Sequence, residues 1–188
     1  PQCGLAPGYV SIVAHDLTRD FDSLRDVQMR VGALPTYPTN ALKYNLTWST
    51  DGLINEYCNP CEAIIDGDLR ETLALEENEA FSLEGTLCDT FAGRVENLNY
   101  KTVRYPGHRD IVKLLIRDLR LGQRRSLLKD VLETAIPITL QDVVLIFITV
   151  SGIKEGRLTQ HTYAKKIYSR TVNGRHLSAI QITTAAGV

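Results

Sequence analysis

Hydrophobic and polar residues alternate with two distinct periods along the chain. Near the start, Val10, Val13, Ala14 and Leu17 fall at i, i+3, i+4 and i+7. That is one stripe of a helix, entered through Pro7 and Gly8. Val27, Met29, Val31 and Ala33 then alternate with Gln28, Arg30 and Gly32, and Leu42, Tyr44, Leu46 and Trp48 with Lys43, Asn45 and Thr47. Period two predicts a half-buried strand in each run. The proline-containing segment between them, Leu34 to Asn40, reads as a loop. A helix near Asp51 to Tyr57, capped by Ser49 or Thr50, ends at Asn59-Pro60. Cys61 to Ile65 and Leu69 to Leu73 flank Asp66-Gly67, a hairpin signal.

Glu76 to Glu79 reads as an acidic loop, followed by a strand near Ala80 to Leu83 and a helix near Thr86 to Phe91. A strand from Leu98 to Val103 leads into the turn Tyr105-Pro106-Gly107-His108. One helix, Asp110 to Leu119, is expected to bury Ile111, Leu114, Leu115 and Leu119. The next, Ser126 to Ile136, is expected to bury Leu128, Val131, Leu132 and Ala135, and Pro137 stops it. Val143 to Ile153 and Leu158 to Tyr168 form a long hairpin turning through Lys154 to Arg157. Asn173-Gly174 is a turn, and a last helix starts near Leu177. Clustered strands with segregated helices predict an α+β fold: a mixed, largely antiparallel sheet with helices packed mainly on one face.

The chain has 188 residues, 44 % hydrophobic and 23 % charged, with a formal charge of −1. That suits one folded domain and supplies no basic field for nucleic acid or an anionic membrane. No stretch reaches the ~18 apolar residues of a membrane helix, and the start lacks a signal core. The expected setting is the cytoplasm. Cys58-Asn-Pro-Cys61 has the spacing of zinc or redox chemistry, but no second CxxC or HxxxH accompanies it. The expectation is therefore no metal and reduced thiols, with a CxxC metal or redox protein as the third reading.

No glycine-rich phosphate loop, nucleophile elbow or HExxH is present. Two polar clusters at element ends remain. Thr50 to Tyr57 sets Asp51 and Asn55 on one helix face, where carboxylates could hold a substrate ammonium; helix capping is the alternative. Arg104 to Asp110 sets arginines and His108 before a helix start, suited to a substrate carboxylate and to proton relay. A capped turn with solvated arginines is the alternative there. Tyr44 and Trp48 read as core residues.

Three strings carry a resemblance: Cys3-Gly-Leu-Ala-Pro-Gly8, the run Asn40 to Pro60, and Lys101-Thr-Val-Arg-Tyr-Pro-Gly-His108. In this order they resemble the second domain of the saccharopine-dehydrogenase-like family, and lysine 6-dehydrogenases share the first and last. The resemblance covers nearly all of residues 1–188 and implies the substrate-binding and dimerisation domain of a two-domain oxidoreductase. Such enzymes use NAD or NADP, bound mainly by a Rossmann domain that this chain lacks, to act on C–N bonds of amino acids. The chain alone would then bind no dinucleotide tightly and be inactive. Its partners would be a small amino-acid-derived substrate and a second copy, docked through the sheet.

Carried onto this sequence, Arg104 holds the substrate carboxylate. Asp51 and Glu56 face its amino end, with Asn55 and Tyr57 in the same cluster. Tyr105 and His108 are proton-transfer or orienting residues, and Cys3, Gly4 and Gly8 form the interdomain hinge. The family has a longer segment where this chain passes from Phe81-Ser-Leu-Glu84 to Gly85-Thr86. Both termini read as cuts within a longer protein. A non-catalytic dimerisation or interaction module on the same fold is the competing reading, since fold alone does not settle function.

Overall fold

The computed structural model describes residues 4–75 and 87–185. The chain opens on α1 (Tyr9–Thr18) and the long strand β1 (Ser23–Pro35). Helix α2 (Thr50–Cys58) leads into the hairpin β2 (Cys61–Ile65) and β3 (Asp68–Thr72). Then come α3 (Leu87–Phe91), β4 (Asn97–Thr102) and α4 (His108–Lys113). A π turn over Leu114–Asp118 and a 3₁₀ turn over Leu121–Gln123 precede α5 (Arg125–Ala135). The paired strands β5 (Asp142–Lys154) and β6 (Arg157–Tyr168), a small hairpin of β7 (Arg170–Val172) and β8 (Arg175–Leu177), and α6 (Ala179–Ala185) complete the described chain.

Among the described residues, six strands form one sheet in the order β3-β2-β4-β1-β5-β6. Only β1 and β4 run parallel; every other neighbouring pair is antiparallel. The fold is therefore α+β with a mixed, mostly antiparallel sheet. The register explains the core. Val27, Met29 and Val31 stand beside Leu98, Tyr100 and Thr102 on one side and Val150, Ile148 and Ile146 on the other. All nine are buried on one face of the sheet. The intervening Gln28, Arg30, Asn99 and Lys101 turn to the opposite, polar face. Helix α1 packs on the apolar face through Val10 and Ala14, and its Tyr9 hydroxyl meets Tyr163 of β6 at 2.6 Å.

Three expectations are corrected. Leu42 to Trp48 is not a strand: it makes one isolated bridge, Leu46 to Ile138. The Asn40 side chain binds the backbone of Tyr44 in both directions, donating to its carbonyl at 2.6 Å and accepting from its N–H. Lys43 takes a left-handed φ of 53°. A side-chain-to-backbone clamp of this kind competes with strand pairing.

The second correction concerns the helix placed at Asp110. It starts at His108 and buries His108, Val112 and Ile116, one turn apart along one stripe. Leu114 and Leu119 are exposed instead of buried. His108 is hydrogen-bonded at both ring nitrogens on the buried side, and a π turn begins at Leu114. In α5, Leu128 and Leu132 are buried as the spacing requires, while Val131 and Ala135 are exposed. The expected acidic loop at 76–79, the strand at 80–83 and the shortened segment at 81–86 lie outside the described residues.

Candidate functional site

A cleft of about 380 Å³ opens where the chain start, α2, the sheet and α6 meet. Val31 and Ala33 of β1 and Tyr100 and Thr102 of β4 form its floor. Gly4 to Ala6 and, from α6, Ile180 and Thr184 form one wall. Trp48, Glu56 and Arg104 close the other side.

Local sequence rules deliver these groups. Helix α2 starts at Ser49, whose hydroxyl accepts the Gly52 N–H at 3.2 Å. Its buried residues Thr50, Leu53, Ile54 and Tyr57 follow i, i+3, i+4 and i+7, so Glu56 and Tyr57 arrive at the helix end nearest the sheet. Strand β4 keeps its period of two beyond its formal end, because the Val103 N–H still donates to Val31 at 2.7 Å. Tyr100, Thr102 and Arg104 therefore all turn toward the cleft. Gly107 then turns the chain with a left-handed φ of 91° and starts α4 at His108. At the other end, Gly8 has φ 132°, and a side chain there would collide with the Gly4 carbonyl. That packing folds residues 4–8 tightly against the cleft wall.

Arg104 is the centre of the site, its side chain only 3 % exposed. It donates through Nε to the Tyr57 hydroxyl at 3.1 Å, through Nη1 to the Val103 carbonyl at 3.2 Å, and through Nη2 to Glu56 at 3.1 Å. The Tyr44 ring lies 5.2 Å from its guanidinium carbon, a cation–π distance. Trp48 Nε1 donates to the Tyr44 hydroxyl at 3.1 Å and so ties the 40–48 loop to the same cluster. Behind Arg104, Tyr57 and His108 Nε2 are 2.7 Å apart, and His108 Nδ1 reaches the Leu42 carbonyl at 2.9 Å.

Burial sets the protonation states. It pushes the Glu56 carboxyl up to about 7, against the lowering influence of Arg104. It brings His108 down to about 4, and the Arg104 charge acts in the same direction while the Leu42 carbonyl opposes it. For Arg104 burial disfavours the charge, but the surrounding Tyr57, Tyr44 and Glu56 oxygens outweigh it and hold the group above its ordinary value. The site is thus a fixed cation beside a carboxyl poised near neutrality and a histidine kept neutral.

The structure brings together Gly4, Glu56 and Arg104 in the cleft wall, with Tyr57 and His108 directly behind Arg104. It places others elsewhere. Asp51 is exposed and accepts from Lys129 of α5 at 2.6 Å. Asn55 accepts from Arg125 at 2.9 Å, so these two residues join α2 to α5. The Tyr105 hydroxyl donates to the Pro35 carbonyl at 2.9 Å. Gly8 backs the wall, and Cys3 lies outside the described residues. Tyr44 and Trp48, expected in the core, belong to the site as well, and Tyr100, Thr102, Ile180 and Thr184 join it without a signal in the sequence motifs. The strand that ends just before Arg104 also carries Tyr100 and Thr102; the last helix is expected near Leu177, but nothing local places it at the cleft.

Cys58 and Cys61 stand at the junction of α2 and β2 as thiols outside any disulfide. Burial raises the Cys58 thiol, opposed by Arg125 and Arg117, which is opposite to the acidic thiol of a redox CxxC. Among the described residues no group of three His, Cys, Asp or Glu could hold a metal ion. No described helix is long and apolar enough to cross a membrane.

Residues 4–184 match the family model described as the saccharopine dehydrogenase C-terminal domain. Among solved structures, the chain is similar to apo histidine-tagged saccharopine dehydrogenase (L-Glu forming) from Saccharomyces cerevisiae. The TM-score is 0.71 at 14 % identity, over 95 % of this chain and 60 % of that one.

Proposed function

We propose that this chain, which belongs to the family of saccharopine dehydrogenase C-terminal domains, is the substrate-binding lobe of an oxidoreductase acting on a C–N bond of an amino acid. The observation that carries the reading is the donor count at Arg104. A guanidinium has five N–H groups in a rigid fork. Three are engaged by Tyr57, Val103 and Glu56. Two remain, one on each terminal nitrogen, which is the pair a carboxylate takes in bidentate fashion. A buried cation with two such donors at a cleft wall suits a substrate carboxylate far better than solvent.

Glu56 stands on the same wall, its side chain 25 % exposed. A carboxyl balanced near neutral pH can hold or accept a proton beside a substrate nitrogen. The cleft volume of about 380 Å³ sits at the small end of ligand pockets, in keeping with an amino-acid-sized guest.

No glycine-rich phosphate loop occurs in the sequence. We therefore assign NAD or NADP, the redox agent of the proposed reaction, to a separate nucleotide-binding lobe. This chain binds, orients and holds protons, and alone turns nothing over. It spans 60 % of the yeast enzyme chain to which it is similar. A second copy is proposed to dock on the sheet face opposite the helices. There Phe147 is 46 % exposed between Arg30 of β1 and Ala164 of β6.

The deciding experiment is an activity screen of the full-length protein, pairing each nicotinamide with a panel of amino acids and their imines. Nicotinamide reduction or oxidation that depends on one panel member supports the reading. Silence across the panel, with the fold intact, removes it in favour of a non-catalytic module.

A further inference from the structure

The row of hydrogen bonds behind Arg104 has its direction imposed at both ends. The Leu42 carbonyl can only accept, so His108 Nδ1 carries a proton and donates across 2.9 Å. Arg104 Nε can only donate, so the Tyr57 oxygen accepts across 3.1 Å. Between them lies the 2.7 Å contact of Tyr57 with His108 Nε2. With Nδ1 protonated in an uncharged ring, Nε2 offers a lone pair and the Tyr57 O–H must point to it.

A charged ring would reverse that contact and set a second cation behind Arg104. The surroundings oppose this. Tyr44 and Tyr57 face the ring on one side, and Leu53, Leu128 and Leu132 enclose it on the other. No carboxylate is among these neighbours.

We infer that His108 is a positioning residue, locked as the neutral Nδ1–H tautomer, which turns the Tyr57 proton away from Arg104 so that the tyrosine oxygen faces Arg104 Nε–H. His108 does not line the cleft, so it acts through Tyr57 and Arg104 and not on a bound molecule. The orientation it imposes keeps Nε occupied by Tyr57 and leaves one N–H on each terminal nitrogen of Arg104, a residue that lines the cleft. Its functional meaning rests on the reading of Arg104 as carboxylate ligand; its geometry does not.

The test uses the full-length protein, isotope-labelled at histidine and arginine. Long-range nitrogen–proton NMR correlations should show His108 with its proton on Nδ1 and a bare Nε2, assigned by loss of the signal in His108→Gln. His108→Leu should speed solvent exchange of the Arg104 Nε–H by about tenfold, with the core amides of β1 and β5 unchanged. His108→Gln, which can return an acceptor to Tyr57, should restore slow exchange.

An Nε2–H tautomer in the unmodified protein overturns the inference, and so does unchanged Arg104 exchange in His108→Leu. A parallel rise at the core amides means the ring only fills space, and overturns it too. If His108→Leu does not fold, the tautomer in the unmodified protein decides alone. Wild-type kinetics in Arg104→Ala would instead defeat the carboxylate reading and leave these NMR results standing.

Discussion

Arg104 Nη2 stands 3.1 Å from Glu56 at the cleft wall, although 48 residues separate the two along the chain. Helix α2 and the extension of β4 bring them there from opposite sides. A buried ion pair of this kind is a poor source of stability, because desolvation offsets most of the Coulomb gain. Its placement at the cleft, where both residues are among the lining, is better explained by what it presents there.

Replacing Arg104 by alanine in the full-length protein should lower kcat/KM for the substrate at least tenfold, about 1.4 kcal/mol. Arg104→Lys should recover little, since an ammonium cannot reproduce the fork. Steady-state kinetics on the substrate found in the screen checks both. Kinetics matching wild type would take Arg104 out of the site.

Glu56 and His108 should give opposite pH slopes of stability. Glu56 rises from 4.5 to about 7 on folding, so between those values the folded state holds a proton the unfolded state has lost. Stability from this group falls as pH rises. His108 drops from 6.5 to about 4, so in that interval the unfolded state holds the extra proton and stability rises with pH. The two oppose each other from about pH 4.5 to 6.5. Urea unfolding across that window should show a more positive slope in Glu56→Gln than in wild type, and a more negative one in His108→Gln. Parallel curves for all three proteins would refute both assignments.

Asp142 begins β5 and is fully buried. Its two carboxylate oxygens accept the backbone N–H groups of Ala179 and Ile180, which start α6. Asp142→Asn leaves one oxygen for two donors and strands a buried N–H, at a cost of about 1–3 kcal/mol. Because α6 contributes Ile180 and Thr184 to the cleft, substrate KM should rise along with amide exchange across 179–185. Exchange confined to its wild-type rate would show the helix held by something else.

Phe147 lies midway along β5 on the face turned away from the helices, opposite Ala164 of β6. If a second copy covers that face, Phe147→Glu should convert a dimer to a monomer in analytical ultracentrifugation without unfolding it. A monomeric wild type would dispose of the proposed assembly.

How far the sequence can be read depends on which interactions set each element. Stripes and alternations are local, so α1, β1, β4 and the β5–β6 pair follow from spacing, and with them the register that aims Arg104. The segment from Leu42 to Trp48 shows the limit. It has strand-like alternation, yet Asn40 clamps it and sends Tyr44 beneath Arg104. Helix α4 shows another: His108, Val112 and Ile116 take its buried stripe, and Leu114 and Leu119 are left exposed. Asp51 and Asn55 share a helix face as spacing predicts, but Arg125 and Lys129 of α5 meet that face. No local rule identifies a partner helix 70 residues away.

Arg30 and Val31 are consecutive, yet one side chain belongs to the open face and the other to the cleft floor. A single inserted or deleted codon within the middle of β1 would exchange these assignments for every residue downstream in the strand, putting Gly32 and Arg30-type positions beneath the guest and apolar ones into water. Length changes should therefore be tolerated in the Lys154–Arg157 bend and purged from β1, a pattern that a deep insertion–deletion scan would read directly.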